Sequence, residues 1–205
     1  LESGKFALAK KAVKLGLEQH PHASVLQLFK VEILIFENKL TEADSLLNSL
    51  HDLEPSNEEV YIQKANIFSK RDNHKMAIQT LETALDFAPD AAEIYSLIAM
   101  EYMFMEDYDN AKYNFMKCLE LEEEDFAALY NIIYCFDFLE QHQEAIDYLN
   151  MFLNKHPYCE VAWLQIGKEY FNLKDYEKAL TAFDFAIISD EYFVGAYMEK
   201  GKVLE

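Results

Sequence analysis

Glycine, proline and cysteine are scarce in this chain: its 205 residues hold five, four and three of them. So few turn-formers leave little room for a series of short strands joined by tight turns. No stretch of useful length alternates apolar and polar residues as a half-buried strand would. The three cysteines, Cys118, Cys135 and Cys159, are odd in number and form no Cys-x-x-Cys pair. That argues against a disulfide framework or a zinc site and favours a reducing compartment. No apolar run approaches the ~18 residues of a membrane span. A cytoplasmic location is therefore expected, although the chain begins Leu1-Glu2 without Met and an excised leader is compatible with that start.

Positive charge is also short. Eighteen Lys and Arg face 37 Asp and Glu, for a net charge of −19. The imbalance is uneven. Residues 1–17 carry four lysines against one glutamate, whereas residues 92–159 carry 14 acidic and 3 basic groups. Such a surface repels phosphate backbones, which excludes nucleic acid as a partner and suits a basic one.

The signatures of catalysis are missing as well. There is no phosphate-binding glycine loop, no Gly-x-Ser-x-Gly and no His-Glu-x-x-His. His20, His22 and His156 lie beside Pro21 and Pro157 at expected turns. His51, His74 and His142 have no second ligand at helical spacing. No catalytic residue, cofactor or metal ligand is expected, and the chain is not expected to be an enzyme.

What the chain does contain is a period. Trp163, Ile166, Gly167 and Tyr170 fall at i, i+3, i+4 and i+7, one face of a helix. After Asp175-Tyr176, residues Ala179, Phe183 and Ala186 open a second helix, and the small Ala179 lets the two approach closely. Stepping back from Ala179 by ~34 residues at a time reaches Ala145, Ala111, Ala77, Ala43 and Ala9. With about one residue in ten alanine, chance gives that run on the order of one time in a million in a fixed frame. All four prolines, Pro21, Pro55, Pro89 and Pro157, share another phase, whose two remaining points are Glu123 and Glu191. Each proline reads as a stop after a second helix.

These residues resemble the tetratricopeptide repeat (TPR) signature, Trp-x2-Leu-Gly-x2-Tyr, then Ala-x3-Phe, then Pro. The resemblance covers nearly the whole chain. It implies an all-α fold, a right-handed solenoid of antiparallel helix pairs with a concave groove lined mainly by the first helices. Residues 5–23 then read as the second helix of a truncated repeat, begun by a break at Gly4, with Phe6, Ala9 and Val13 packing. Full repeats follow at 24–57, 58–91, 92–125, 126–159 and 160–193, and 194–205 begins another first helix. Repeat one departs from the pattern, with Gln27 where a large apolar residue is usual and Lys30 where Leu or Ile is usual. In repeat four Ile133 replaces a small residue, which should hold its two helices further apart. Half-repeats at both ends suggest a chain cut from a longer array, or ends covered by another copy.

A stripe at i, i+4 and i+8 on each first helix, off the packing face, is expected to line the groove. It comprises Leu28, Glu32 and Phe36; Ile62, Asn66 and Lys70; Ser96, Met100 and Phe104 with Met103; Tyr130, Tyr134 and Phe138 with Asn131; and Leu164, Lys168 and Asn172. From these, the partner-binding set is Phe36, Asn66, Lys70, Met100, Met103, Phe104, Tyr130, Asn131, Tyr134, Phe138, Lys168 and Asn172. The middle is aromatic and Met-rich, which suits an amphipathic helix or an extended segment with apolar anchors. Some TPR co-chaperones grip a C-terminal carboxylate with Lys, Asn and Arg on successive first helices. Here only Asn66 and Lys168 are of that kind, three repeats apart, so an acidic tail is a poor ligand. The expected function is a non-catalytic scaffold that binds a peptide or helix of a partner protein. The rival readings are self-association through the end helices, forming a homo-oligomer, and an accessory domain of a larger protein.

Overall fold

The computed structural model describes residues 2–204, all of whose regular structure is helical. The helices are α1 (Glu2–Gln19), α2 (Ser24–Phe36), α3 (Leu40–Leu53), α4 (Glu58–Ser69), α5 (His74–Leu85), α6 (Ala92–Phe104), α7 (Tyr108–Leu121), α8 (Phe126–Phe138), α9 (His142–Lys155), α10 (Glu160–Asn172), α11 (Tyr176–Ser189) and α12 (Val194–Leu204). They form an all-α solenoid of helix pairs. The chain divides between Asp107 and Tyr108 into two compact units, α1–α6 and α7–α12. In each, successive helices pack on one another in chain order. No helix of the described residues is long and apolar enough to cross a membrane.

Close approach of the helices rests on the periodic alanines. Ala43, Ala77, Ala111, Ala145 and Ala179 are each at 0% exposure. A methyl group is the largest side chain that keeps the second helix this near its partner without leaving a void. Ala9 holds the same phase but is exposed. Gly4 does not break the chain as expected. It lies inside α1, where one glycine costs the helix only about 1 kcal/mol.

Every first helix from α2 to α10 ends in the same way. At residues 38, 72, 106, 140 and 174 the backbone turns left-handed, with φ between 55° and 63°. The amide of that residue donates three residues back, and the next amide donates five back, as in Lys39 N–H to the Leu34 carbonyl at 2.8 Å and Asp175 N–H to Tyr170 at 2.8 Å. This double bond pattern satisfies the last carbonyls of the helix. Glycine normally takes the left-handed position, yet here the five residues are Asn38, Asp72, Glu106, Glu140 and Lys174.

The turns between repeats carry a second periodic bond. Gln27 Nε2 donates to the Pro21 carbonyl (2.6 Å), Tyr61 Oη to Pro55 (2.8 Å), Tyr95 Oη to Pro89 (3.3 Å), Trp163 Nε1 to Pro157 (3.0 Å) and Tyr197 Oη to Glu191 (3.1 Å). The site asks for a donor that reaches back six residues, not only for bulk. Gln27 is therefore no defect of repeat one. Leu129 at this phase in α8 has no donor and is instead fully buried.

Packing within the pairs follows residue size. A Cβ on Gly167 would stand 2.3 Å from the Phe183 ring, so α10 and α11 meet face to face over a bare backbone. At the equivalent place in α8, Ile133 is buried, and α8 and α9 share far less close backbone approach than α10 and α11. Caps complete the first turns: Asn57 accepts from Glu59 N–H (3.1 Å) and Asp125 from Ala128 N–H (3.0 Å). The acidic turn before α8 thus supplies that helix's cap, while its Glu123 pairs with Lys155 at 3.0 Å.

Candidate functional site

The first-helix stripes share one gradient. In the first unit, Leu28 is buried, Glu32 exposed and Phe36 73% exposed; Ile62 is half-buried, Asn66 and Lys70 exposed; Ser96 and Met103 are half-buried, Met100 exposed and Phe104 61% exposed. In the second unit, Tyr130, Tyr134 and Phe138 are all exposed with Asn131 half-buried beside them, and Leu164 is buried, Lys168 half-buried and Asn172 exposed. Leu28 and Leu164 therefore belong to the core and not to a binding surface. Steps of four residues on a helix of 3.6 per turn rotate a stripe by about 40° each, so its N-terminal end turns into the neighbour while its C-terminal end turns out.

The second unit gathers its aromatics. Phe138 stacks on Tyr108 with ring centroids 4.5 Å apart and meets Tyr134 at 4.6 Å. The Tyr130 hydroxyl is hydrogen-bonded to the buried Gln165 side chain, and partial burial raises its pKa. Three ring contacts and that bond hold α8's exposed face in a defined shape with little rotamer freedom left to lose. In the first unit the rings are dispersed. Phe36 lies against Phe6 at 4.4 Å, and Phe104 stacks on His74 at 5.2 Å.

Histidine is where sequence reasoning fell short. His74 and His142 are not isolated. His74 Nδ1 lies 2.8 Å from Glu101 Oε2, and His142 Nδ1 lies 2.8 Å from Glu169 Oε2. Each pair joins the start of a second helix to the following first helix. Glu169 is 1% exposed, and its burial pushes the carboxyl well above the ordinary carboxylate range, against the pull of His142. Asp137 Oδ1 also approaches His142 Nδ1, at 3.6 Å. The signal that could have found these pairs is their repetition, a His and a Glu 27 residues apart occurring twice in phase. The three cysteines are free and buried, and burial raises Cys118 to about 12 and Cys135 to about 11.

Stacked helix pairs with an ordered row of outward side chains define a protein-interaction scaffold. The chain belongs to the tetratricopeptide repeat family: models of that repeat match residues 37–101, 92–125, 127–157 and 161–187. Anaphase-promoting complex subunit 3 of Schizosaccharomyces pombe is 27% identical over 150 residues, 73% of this chain and 23% of that protein. Human tetratricopeptide repeat protein 7A is 29% identical over 94 residues, 45% of this chain and 11% of that protein. The chain thus spans less than a quarter of the length of these relatives. Among solved structures, YrrB, described as a TPR protein with an unusual peptide-binding site, superimposes with a TM-score of 0.59 at 20% identity, over 93% of this chain and 98% of that one. MamA gives 0.61 at 16% identity, over 82% of this chain and 92% of that one.

Proposed function

We propose that the chain holds a peptide or helical segment of a partner protein against its first helices, with the aromatic face of α8 as the anchor. The observation that carries this is the set of Tyr130, Tyr134 and Phe138. They are exposed, neighbouring and held by Tyr108 and Gln165. A soluble surface gains nothing from ordering three aromatics in water, whereas a binding surface gains contact area at low entropic cost. Asn131, Lys168 and Asn172 supply polar groups in the same unit, and Asn66, Lys70, Met100, Met103 and Phe104 form the corresponding surface of the first. The partner segment is amphipathic, and the excess of acidic groups over residues 92–159 favours basic residues beside its apolar anchors.

The test is selection of the chain against a displayed library of random peptides. Enriched sequences are expected to pair apolar anchors with Lys or Arg, and their binding is expected to weaken as salt rises. Replacing Tyr134 and Phe138 by Ala is expected to reduce affinity at least about tenfold, with helicity by circular dichroism unchanged. Peptides that bind the doubly substituted chain as tightly as the original overturn the reading.

A second reading has its own observation. Val194, Tyr197, Met198 and Leu204 on α12 are all exposed on one short helix. Association of two copies through α12 would cover them. Sedimentation across a concentration series decides: a monomer at every concentration removes this reading and leaves the first untouched.

A further inference from the structure

We propose that Asp137, His142 and Glu169 form a binding site for a divalent transition-metal ion of the zinc type. One ligand atom from each residue lies within 4.8 Å of the others: Asp137 Oδ1 from the end of α8, His142 Nδ1 from the start of α9 and Glu169 Oε2 from α10. The nitrogen is 2.8 Å from the glutamate oxygen and 3.6 Å from the aspartate oxygen. Ligands about 2.0–2.1 Å from a zinc ion at tetrahedral or octahedral angles stand roughly 2.9–3.4 Å apart. The two separations from the nitrogen bracket that range, the carboxylate oxygens lie within 4.8 Å of each other, and rotation of the exposed Asp137 side chain would close the set on an ion.

Electrostatics points the same way. Two carboxylates converge on one imidazole nitrogen, which carries at most one hydrogen and can satisfy only one of them fully. Glu169 is buried beside a second carboxylate, where two bare charges are unfavourable and added positive charge, as a proton or as a cation, relieves them. A divalent cation supplies it, and one imidazole with two carboxylates is a donor set that zinc accepts. Asp137 is the most exposed of the three, so the face of the site towards it leaves room for water as the fourth ligand.

The first unit holds an internal control. His74 and Glu101 stand at the same phase with the same 2.8 Å contact. Ser69 takes the place of Asp137, and the Phe104 ring stacks on His74. A His–Glu pair is thus sufficient to join two helices. The third carboxylate in the second unit is not required for such a joint, and it is the residue that turns a joint into a ligand set.

The experiment is calorimetric titration of the whole chain with Zn2+ in a non-coordinating buffer, with Co2+ absorption in the visible as a report on the ligands. Unaltered protein is expected to bind one Zn2+ and to melt at a higher temperature with zinc than without. Asp137→Ser copies the first unit at an exposed position, so the fold survives. It is expected to weaken binding by more than about tenfold, the scale on which even supporting groups act, and to abolish the melting shift. His142→Gln is expected to do the same and to remove the Co2+ spectrum. Undiminished binding by either variant overturns the proposal, because binding at His20 and His22 or on the acidic surface survives both. No binding to unaltered protein at millimolar zinc overturns it equally.

Discussion

The two units are built on one lattice and differ in what they place off it. Both bury the periodic alanine from Ala43 onward, both end first helices on a left-handed residue, and both tie one second helix to the next first helix through a His–Glu pair. They part at the neighbouring positions. The first unit sets Ser69 and Phe104 around its pair, and the second sets Asp137 and Asn172 at those phases. The first disperses its exposed rings, and the second clusters Tyr134, Phe138 and Tyr108. Positions that close the stack are constrained by geometry and so stay alike. Positions one step away are free to differ, and there the chemistry of a surface is written.

The largest expected effect breaks the likeness in packing. Gly167→Ala drives a methyl group into the Phe183 ring and should destabilise the second unit by about 1–3 kcal/mol. The first unit already carries Ala65 at this phase, with the smaller Leu81 at the phase of Phe183, both buried. Gly167→Ala combined with Phe183→Leu should therefore recover part of the loss. Urea unfolding of the single and double variants measures it, and equal loss in both would show that the ring is not the obstacle.

An effect of the same order sharpens the contrast between the polar pairs. His142→Ala leaves Glu169 buried without its partner and should cost about 1–3 kcal/mol, the penalty for an unsatisfied buried group. His74→Ala should cost less, because Glu101 at 8% exposure is nearer to water than Glu169 at 1%. Thermal melts of the two variants in parallel rank them; equal shifts would mean that burial does not separate the pairs.

The smallest effect is a gain. Glu140→Gly in the second unit removes the left-handed cost of a residue that carries a Cβ, about 1 kcal/mol, offset in part by glycine's greater freedom when unfolded. Asn38→Gly in the first unit should change stability by less, because asparagine tolerates that conformation. Denaturant midpoints of the two variants give the comparison directly.

Much of the packing was legible before any coordinates. Ile166, Ala179, Phe183 and Ala186 fall in phase on the sequence, and the structure buries all of them. Gln27 read as a flaw because only its polarity was visible; the carbonyl that it serves, at Pro21, appears once the turn has folded. Leu28 and Leu164 read as surface because a straight stripe was drawn on a helix whose faces rotate. The separation of 27 residues between His142 and Glu169 spans the rest of one helix, a turn and most of the next, so no local window contains the pair.

The period, carried by alanine and proline at their two phases, was sufficient to determine helix pairs repeated along the chain. That follows because a methyl-sized contact and a helix stop are local demands on residue type. The tertiary structure alone decided which outward side chains meet: two rings of α8 with Tyr108 of α7, and two carboxylates on one imidazole. Those meetings depend on how adjacent helices are rotated about their axes, and that rotation is set by the sum of all the packed side chains between them.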